Sequence, residues 1–238
     1  MREILYERKS HLTDVFNALS NNAVLLDMGS VFAVVSLPTT QGVSQMNSIK
    51  RRLPNKYYGS IVGDVKKFIQ HSKGSEELKN KLITAGLKGE LNNTFIRLPW
   101  AEESFSTAIA HLGTHQGLIL SEPFKSFALD IEGKIAQREG KRSSTPEFNW
   151  LLGSSANISG DTKGSITALD DALNFGKQRG IELLIRFDID SEKYEKGSFP
   201  IIECTEKSYV VRREGPGINR IRKNMEKLGL SESIERTL

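Results

Sequence analysis

Apolar residues recur along this chain with two periods. Leu12, Val15, Phe16 and Leu19 stand at i, i+3, i+4 and i+7, the spacing of one helical face, with Ser10 as the expected N-cap and Asn21-Asn22 as the stop. Two short apolar runs follow, 23–26 and 31–35, parted by Asp27-Met28-Gly29-Ser30. The second is rich in β-branched residues and lacks polar alternation, so it predicts a buried strand that cannot continue past Pro38. Further strands are predicted over 57–62, 94–98, 117–120, 181–187, 199–203 and 209–211. Val65, Phe68 and Ile69 mark a short helix. Ser75-Glu76-Glu77 reads as a helix start, with acids where the helix dipole favours them. Phe105, Ala108, Ile109 and Leu112 have helical spacing, and Ser165 is read as the cap of a helix through Leu169, Ala172 and Leu173. Ile218, Ile221, Met225 and Leu228 stripe a last helix whose other side carries Arg220, Arg222, Lys223 and Lys227.

Between these elements, 132–146 is the least core-like stretch. From Gln137 to Thr145 every residue except Gly140 is polar, which predicts an exposed, mobile, basic loop inserted in the chain. Strands and helices interleave irregularly and no repeat is visible. The expected class is therefore α/β, of the mixed α+β-like kind, with an open mixed sheet in a single domain over 1–238.

A net charge of +4 and a pI near 9.1 lean towards anionic ligands such as nucleotides or RNA, although spare surface lysines produce the same lean. One cysteine, Cys204, excludes an intramolecular disulfide and a cysteine-based zinc cluster and fits a reducing compartment. Residues 1–11 carry both charge signs and no apolar core, unlike a secretory signal or a transit peptide. No run approaches a membrane span. The expected location is cytoplasmic, with no membrane partner.

Two distant segments have the chemistry to handle phosphate. Gly153-Ser-Ser-Ala-Asn-Ile-Ser-Gly160 follows an apolar run with small residues, through which backbone N–H groups can approach an anion while Ser154, Ser155 and Asn157 add side-chain groups. It is also compatible with a plain polar turn, and it is not a Walker loop, since no Gly-Lys-Ser/Thr follows. Lys50-Arg51-Arg52 puts cations at i and i+2 on one side of an extended segment, suited to clamping a polyphosphate or simply to facing solvent. Arg212 and Arg213, before Gly215-Pro216-Gly217, offer a further cation at a strand end. Asp188 and Asp190 are weak Mg²⁺ candidates if the strand continues through them. His111 and His115 lack the glutamate of a zinc helix, and no protein nucleophile stands out.

The order of these segments is more specific than any one of them. Gly29, an apolar strand and Leu37-Pro38-Thr39, then Lys50-Arg51-Arg52, Arg97-Leu98-Pro99, Ser154-Ser-Ala-Asn157-Ile-Ser-Gly160 and Val211-Arg-Arg213-Glu-Gly215 resemble, in sequence, the motifs of the YrdC-like (threonylcarbamoyl-AMP synthase) family, over residues 23–218. The resemblance implies a curved mixed sheet around a positively charged groove. It implies condensation of threonine, bicarbonate and ATP, with Mg²⁺, to threonylcarbamoyl-adenylate and pyrophosphate, feeding the threonylcarbamoyladenosine modification of tRNA. Carried over by motif, Lys50, Arg52, Ser154, Ser155, Asn157 and Arg213 hold the nucleotide and its phosphates. Thr39 and Arg97 face the amino-acid and carbamate side.

The sequence departs from the family pattern mainly on that second side. Thr39 and Lys50 are only eleven residues apart, so a helix-sized piece is expected to be missing. No proline-glycine-proline element lies between Gly74 and Asn93, and the late Ser-Thr-Val element reads Gly197-Ser-Phe199-Pro200-Ile. Two alternatives stay open. One is a related adenylate-forming or carbamoyl-transfer enzyme with a different acceptor. The other is a non-catalytic RNA or nucleotide binder using the basic groove, the 137–145 loop and the basic last helix.

Overall fold

The computed structural model describes residues 1–53, 56–100, 109, 113–139 and 149–233. In chain order the elements are β1 (Arg2–Leu5), α1 (Arg8–Asn21), β2 (Val24–Asp27), β3 (Phe32–Ser36), α2 (Thr40–Lys50), β4 (Gly59–Val62), α3 (Val65–Gln70), α4 (Glu76–Leu87), β5 (Thr94–Pro99) and β6 (Thr114–Ile119). They continue with α5 (Phe124–Glu139), β7 (Leu151–Ser155), α6 (Leu169–Gln178), β8 (Leu183–Arg186), β9 (Ile201–Cys204), β10 (Ser208–Arg213), α7 (Ile218–Lys227) and β11 (Ser231–Glu232). The strands form one mixed sheet in the order β1-β8-β2-β3-β7-β4-β6-β5-β9-β10-β11. β2, β3, β7 and β4 are joined antiparallel, whereas β4 with β6 and β5 with β9 are parallel. The mixed α/β class expected from the pattern is the one observed.

Burial alternates along the strands. Leu26, Ala33 and Val35 pack with α1 and α5 through Val15, Leu19, Phe124, Phe127 and Ile131. Leu25 and Val34 turn to the other face, against Met46 of α2 and Phe175 of α6. A second region joins α3, α4 and α7 to β5, β6, β9 and β10 around Phe68, Leu82, Ile96, Ile202 and Met225. This alternation is what a strand's two-residue period gives when helices cover both faces.

Several expectations are corrected. The first helix starts at Arg8 with Glu7, not Ser10, at its N-cap position, and residues 2–5 form the edge strand β1. The short link from Thr39 to Lys50, for which no element was expected, is a helix. Thr39 Oγ1 accepts the Gly42 N–H at 3.0 Å, supplying the N-cap, while Met46 and Ile49 bury its inner face. The supposed loop over 132–146 is helical through residue 139, because Ile131 and Ile135 continue the buried face begun by Phe124, Phe127 and Ala128. Ser165 caps no helix, since α6 starts at Leu169 with Ala168 at its N-cap position. The helix expected over 105–112, apart from Ile109, and the rest of the basic loop, 140–146, lie outside the described residues.

Candidate functional site

A cleft of about 880 Å³ lies across the middle of the sheet. Its floor is formed by Ala33, Gly153, Ile61, Leu118, Phe95 and Ile201, one from each of six adjacent strands. Five interstrand spacings make it roughly 24 Å wide. Gly59 and Gly153 are register partners in β4 and β7. A Cβ on Gly59 would stand 2.5 Å from Phe95 Cε1, and one on Gly153 would stand 2.9 Å from Ile61 Cγ1. Glycine at both positions keeps the floor open.

Lys50, the last residue of α2, is 1% exposed. Its ammonium donates to Ser155 O, to Asn157 O at 2.8 Å and to Asn157 Oδ1 at 3.0 Å. Burial, then Arg52 and Lys56, push its pKa down to about 7. The segment is not extended as expected from sequence. Arg51 is left-handed, with φ of 46°, and turns the chain back just after the helix. Through that turn both Lys50 and Arg52 reach the 153–160 loop. Arg52 Nε donates to Lys56 O at 3.1 Å, Nη1 to Ser154 Oγ at 3.4 Å and Nη2 to Tyr57 O, and its guanidinium lies 4.2 Å from the centre of the Tyr58 ring.

Arg213 and Arg97 stand across the cleft. Arg213 donates from Nε and Nη2 to Phe199 O at 3.1 and 2.6 Å and lies 5.9 Å from the Phe95 ring centre. No described carboxylate pairs with it; burial and then the charge of Arg97 push its pKa down to about 10. Arg97 is held by Gln116 Oε1 at 2.7 Å and by Glu203 Oε2 at 3.4 Å. Arg212 alternates away from the cleft and pairs with Glu203 at 2.8 Å. Among the described residues, the six cations Lys50, Arg52, Lys56, Arg97, Lys196 and Arg213 thus line the cleft, against two carboxylates, Glu195 and Glu214.

The sequence candidates divide accordingly. Lys50, Arg52, Ser154, Ser155, Asn157, Arg97 and Arg213 come together in the cleft. Thr39 does not: its hydroxyl is the cap of α2. Asp188 and Asp190 lie beyond the end of β8. Asp190 Oδ1 caps a short 3-10 turn and its carboxylate pairs with Lys193 at 3.2 Å. Among the described residues no cluster of three or more His, Cys, Asp or Glu side chains could hold a metal ion.

The sequence reading missed Lys56, Gln116, Lys196, Ser159 and the pair Ser165 and Ser198, whose hydroxyls bond to each other at the cleft wall. Ser159 carried a signal, since it belongs to the Ser-Ala-Asn-x-Ser-Gly run, and Ser198 carried one as the hydroxyl of the altered Ser-Thr-Val element. Ser159 Oγ is buried without a hydrogen-bond partner among the described residues.

Sheet order, flanking helices and cleft together define the YrdC-like fold. The chain superposes on a hypothetical protein, smu.1377c, of Streptococcus mutans with a TM-score of 0.69 at 13% identity, covering 98% of this chain and 97% of that one. It superposes on Sua5 of P. abyssi complexed with L-threonine with a TM-score of 0.69 at 14% identity, covering 97% of this chain but 61% of Sua5. E. coli YciO gives a TM-score of 0.62 at 12% identity, with 90% and 93% coverage. No family sequence model matches the chain, and no curated protein sequence matches it either. No described helix is long and apolar enough to cross a membrane.

Proposed function

We propose that the chain is a nucleotidyltransferase that condenses L-threonine, bicarbonate and ATP into threonylcarbamoyl-adenylate, with release of pyrophosphate and water, for modification of tRNA. The observation that carries this reading is the six-cation cleft with the 153–160 loop on one wall and Arg213 across the floor. Nucleotidyl transfer needs placed cations and donors more than a protein nucleophile, because the charge that develops sits on phosphate oxygens. In this reading the triphosphate lies near Lys50, Arg52, Ser154, Ser155, Asn157 and Arg213, Mg²⁺ enters with ATP, and Arg97 faces the carbamate. The apolar floor at Phe95, Leu118 and Ile201 suits the flat part of the nucleotide.

One observation favours a second reading, with the same chemistry on a different acceptor. Thr39 is committed to capping α2, and one cleft wall carries the hydroxyls of Ser165 and Ser198, brought from different segments. The test is pyrophosphate release from ATP, Mg²⁺ and bicarbonate with each amino acid in turn. Release with threonine alone supports the first reading, and release only with another acid supports the second. No release with any acid overturns both and leaves a nucleotide- or RNA-binding protein, which salt-dependent RNA affinity would then identify.

A further inference from the structure

Lys50 ties down the 153–160 loop through the groups it bonds. An ammonium has three protons, and Lys50 gives all of them to the loop: to Ser155 O, Asn157 O and Asn157 Oδ1. Its backbone oxygen accepts a fourth link, from Ser159 N at 2.9 Å. None of these protons is left for a ligand. The side-chain amide of Asn157 is oriented by two donors to the same oxygen, Lys50 Nζ and Ser155 Oγ, each at 3.0 Å. Its Nδ2 must then point away from both, and no described residue accepts from it. Ser155 has spent its hydroxyl proton on that bond. The backbone N–H groups of Asn157 and Ile158 have no described acceptor, and the Ser159 hydroxyl is buried with no described partner.

We propose that Lys50 is a positioning residue: it draws the Ser155 and Asn157 carbonyls down beneath the loop, so that Asn157 Nδ2 and the adjacent amides are left as the groups that meet an anionic phosphate. The inference rests on the reading that this end of the cleft takes a nucleotide's phosphates. It assigns the contacts there to Asn157 and the loop amides and not to the lysine. Consecutive unpaired amides of this kind form an anion-binding concavity that works through fixed dipoles, and those dipoles are useful only while the carbonyls are held away from the ligand.

A double-mutant cycle decides it, because a residue that acts through another loses its effect once the other is gone. ADP affinity, with Mg²⁺, is measured by calorimetry for the wild-type chain, Lys50→Met, Asn157→Ala and the double variant. Each single change is expected to weaken binding at least tenfold, and the double variant is expected to bind no more weakly than the worse single variant. Losses that multiply overturn the proposal while leaving the phosphate site intact. So does a Lys50→Met variant with a lowered melting temperature and unchanged ADP affinity. A wild-type chain that does not bind ADP overturns the phosphate reading itself and this inference with it.

Should Lys50→Met not fold, reductive methylation of the wild-type chain gives a second decision. Lys50 is expected to stay unmodified while Lys56 reacts, with or without ADP. Methylation of Lys50 in the free protein that only ADP prevents overturns the proposal.

Discussion

Glu132 Oε1 accepts the Gly63 N–H at 2.6 Å, and Glu132 Oε2 accepts the Asp64 N–H at 3.2 Å. A carboxylate on α5 thereby satisfies the turn between β4 and α3, and Asp64 in turn caps α3 through Lys67 N at 3.0 Å. Glu132 is 7% exposed. Burial pushes its pKa up to about 7, against the opposing pull of the two N–H groups. A group whose folded pKa is raised binds more protons folded than unfolded, so its contribution is fully present below the unfolded value near 4.5 and is lost as pH rises through 7. Urea unfolding between pH 4.5 and 7.5 should show wild type losing about 2 to 3 kcal/mol relative to Glu132→Gln across that window. Parallel pH profiles for the two proteins would contradict this.

Gly59→Ala should damage the cleft more than the fold. The added methyl meets the Phe95 ring, and overpacking of this kind costs about 1 to 3 kcal/mol. The ring's escape is into the cleft, towards Arg213. ADP affinity is expected to fall at least tenfold while the circular dichroism spectrum stays that of the wild type.

Arg213→Lys tests the fork. Phe199 O now takes two N–H groups from one planar guanidinium, a geometry an ammonium cannot reproduce. About a tenfold loss of ADP affinity is expected, whereas Arg212→Lys, which alters an ion pair outside the cleft, should change it less than twofold.

Proton uptake should accompany nucleotide binding above neutral pH. With its pKa pushed down to about 7, the three-proton form of Lys50 that ties the loop is only partly populated at pH 8 in the free protein, and a bound anion beside the loop raises that value and restores it. The binding enthalpy for ADP at pH 8 should therefore vary with the ionisation enthalpy of the buffer, and Lys50→Met should abolish the variation. For stability the sign is opposite to that of Glu132. The depressed lysine binds fewer protons folded than unfolded, so its contribution is present above about 10.5 and is lost as pH falls through 7.

Much of the scaffold could be read from spacing alone. Thr94–Pro99, Val65–Gln70 and Ile218–Lys227 were legible because apolar residues mark their buried faces over one or more turns or pleats. α2 was not, since it has only Val43, Met46 and Ile49 as apolar residues, with Gly42 in its first turn; its cap and its packing against the sheet outweigh poor propensity. The start of α5 had a clear signal that its polar end masked: Phe124, Phe127, Ala128, Ile131 and Ile135 keep helical spacing into the supposed loop. β1 is mostly exposed and exists through its partner β8.

The site was legible as an order of motifs. Lys56 and Lys196 were not, because they come from connecting segments that carry no pattern of their own and meet the cleft only through the topology. Thr39 shows the converse: its position in a motif suggested a ligand contact, while its position before a helix decided what its hydroxyl bonds.

The sheet's order also sets when it can be finished. Among the described residues β1 pairs only with β8, Arg2 with Leu183 through Leu5 with Arg186, and β8 is also the outer neighbour of β2. As the chain emerges from the ribosome, β1 waits about 180 residues for that partner, and until then β2 is the bare edge of a growing sheet. Long-range pairing of this kind slows folding and prolongs the exposure of open edges. A nascent chain stopped before residue 183 should depend on chaperones in a way that one carried past residue 186 does not.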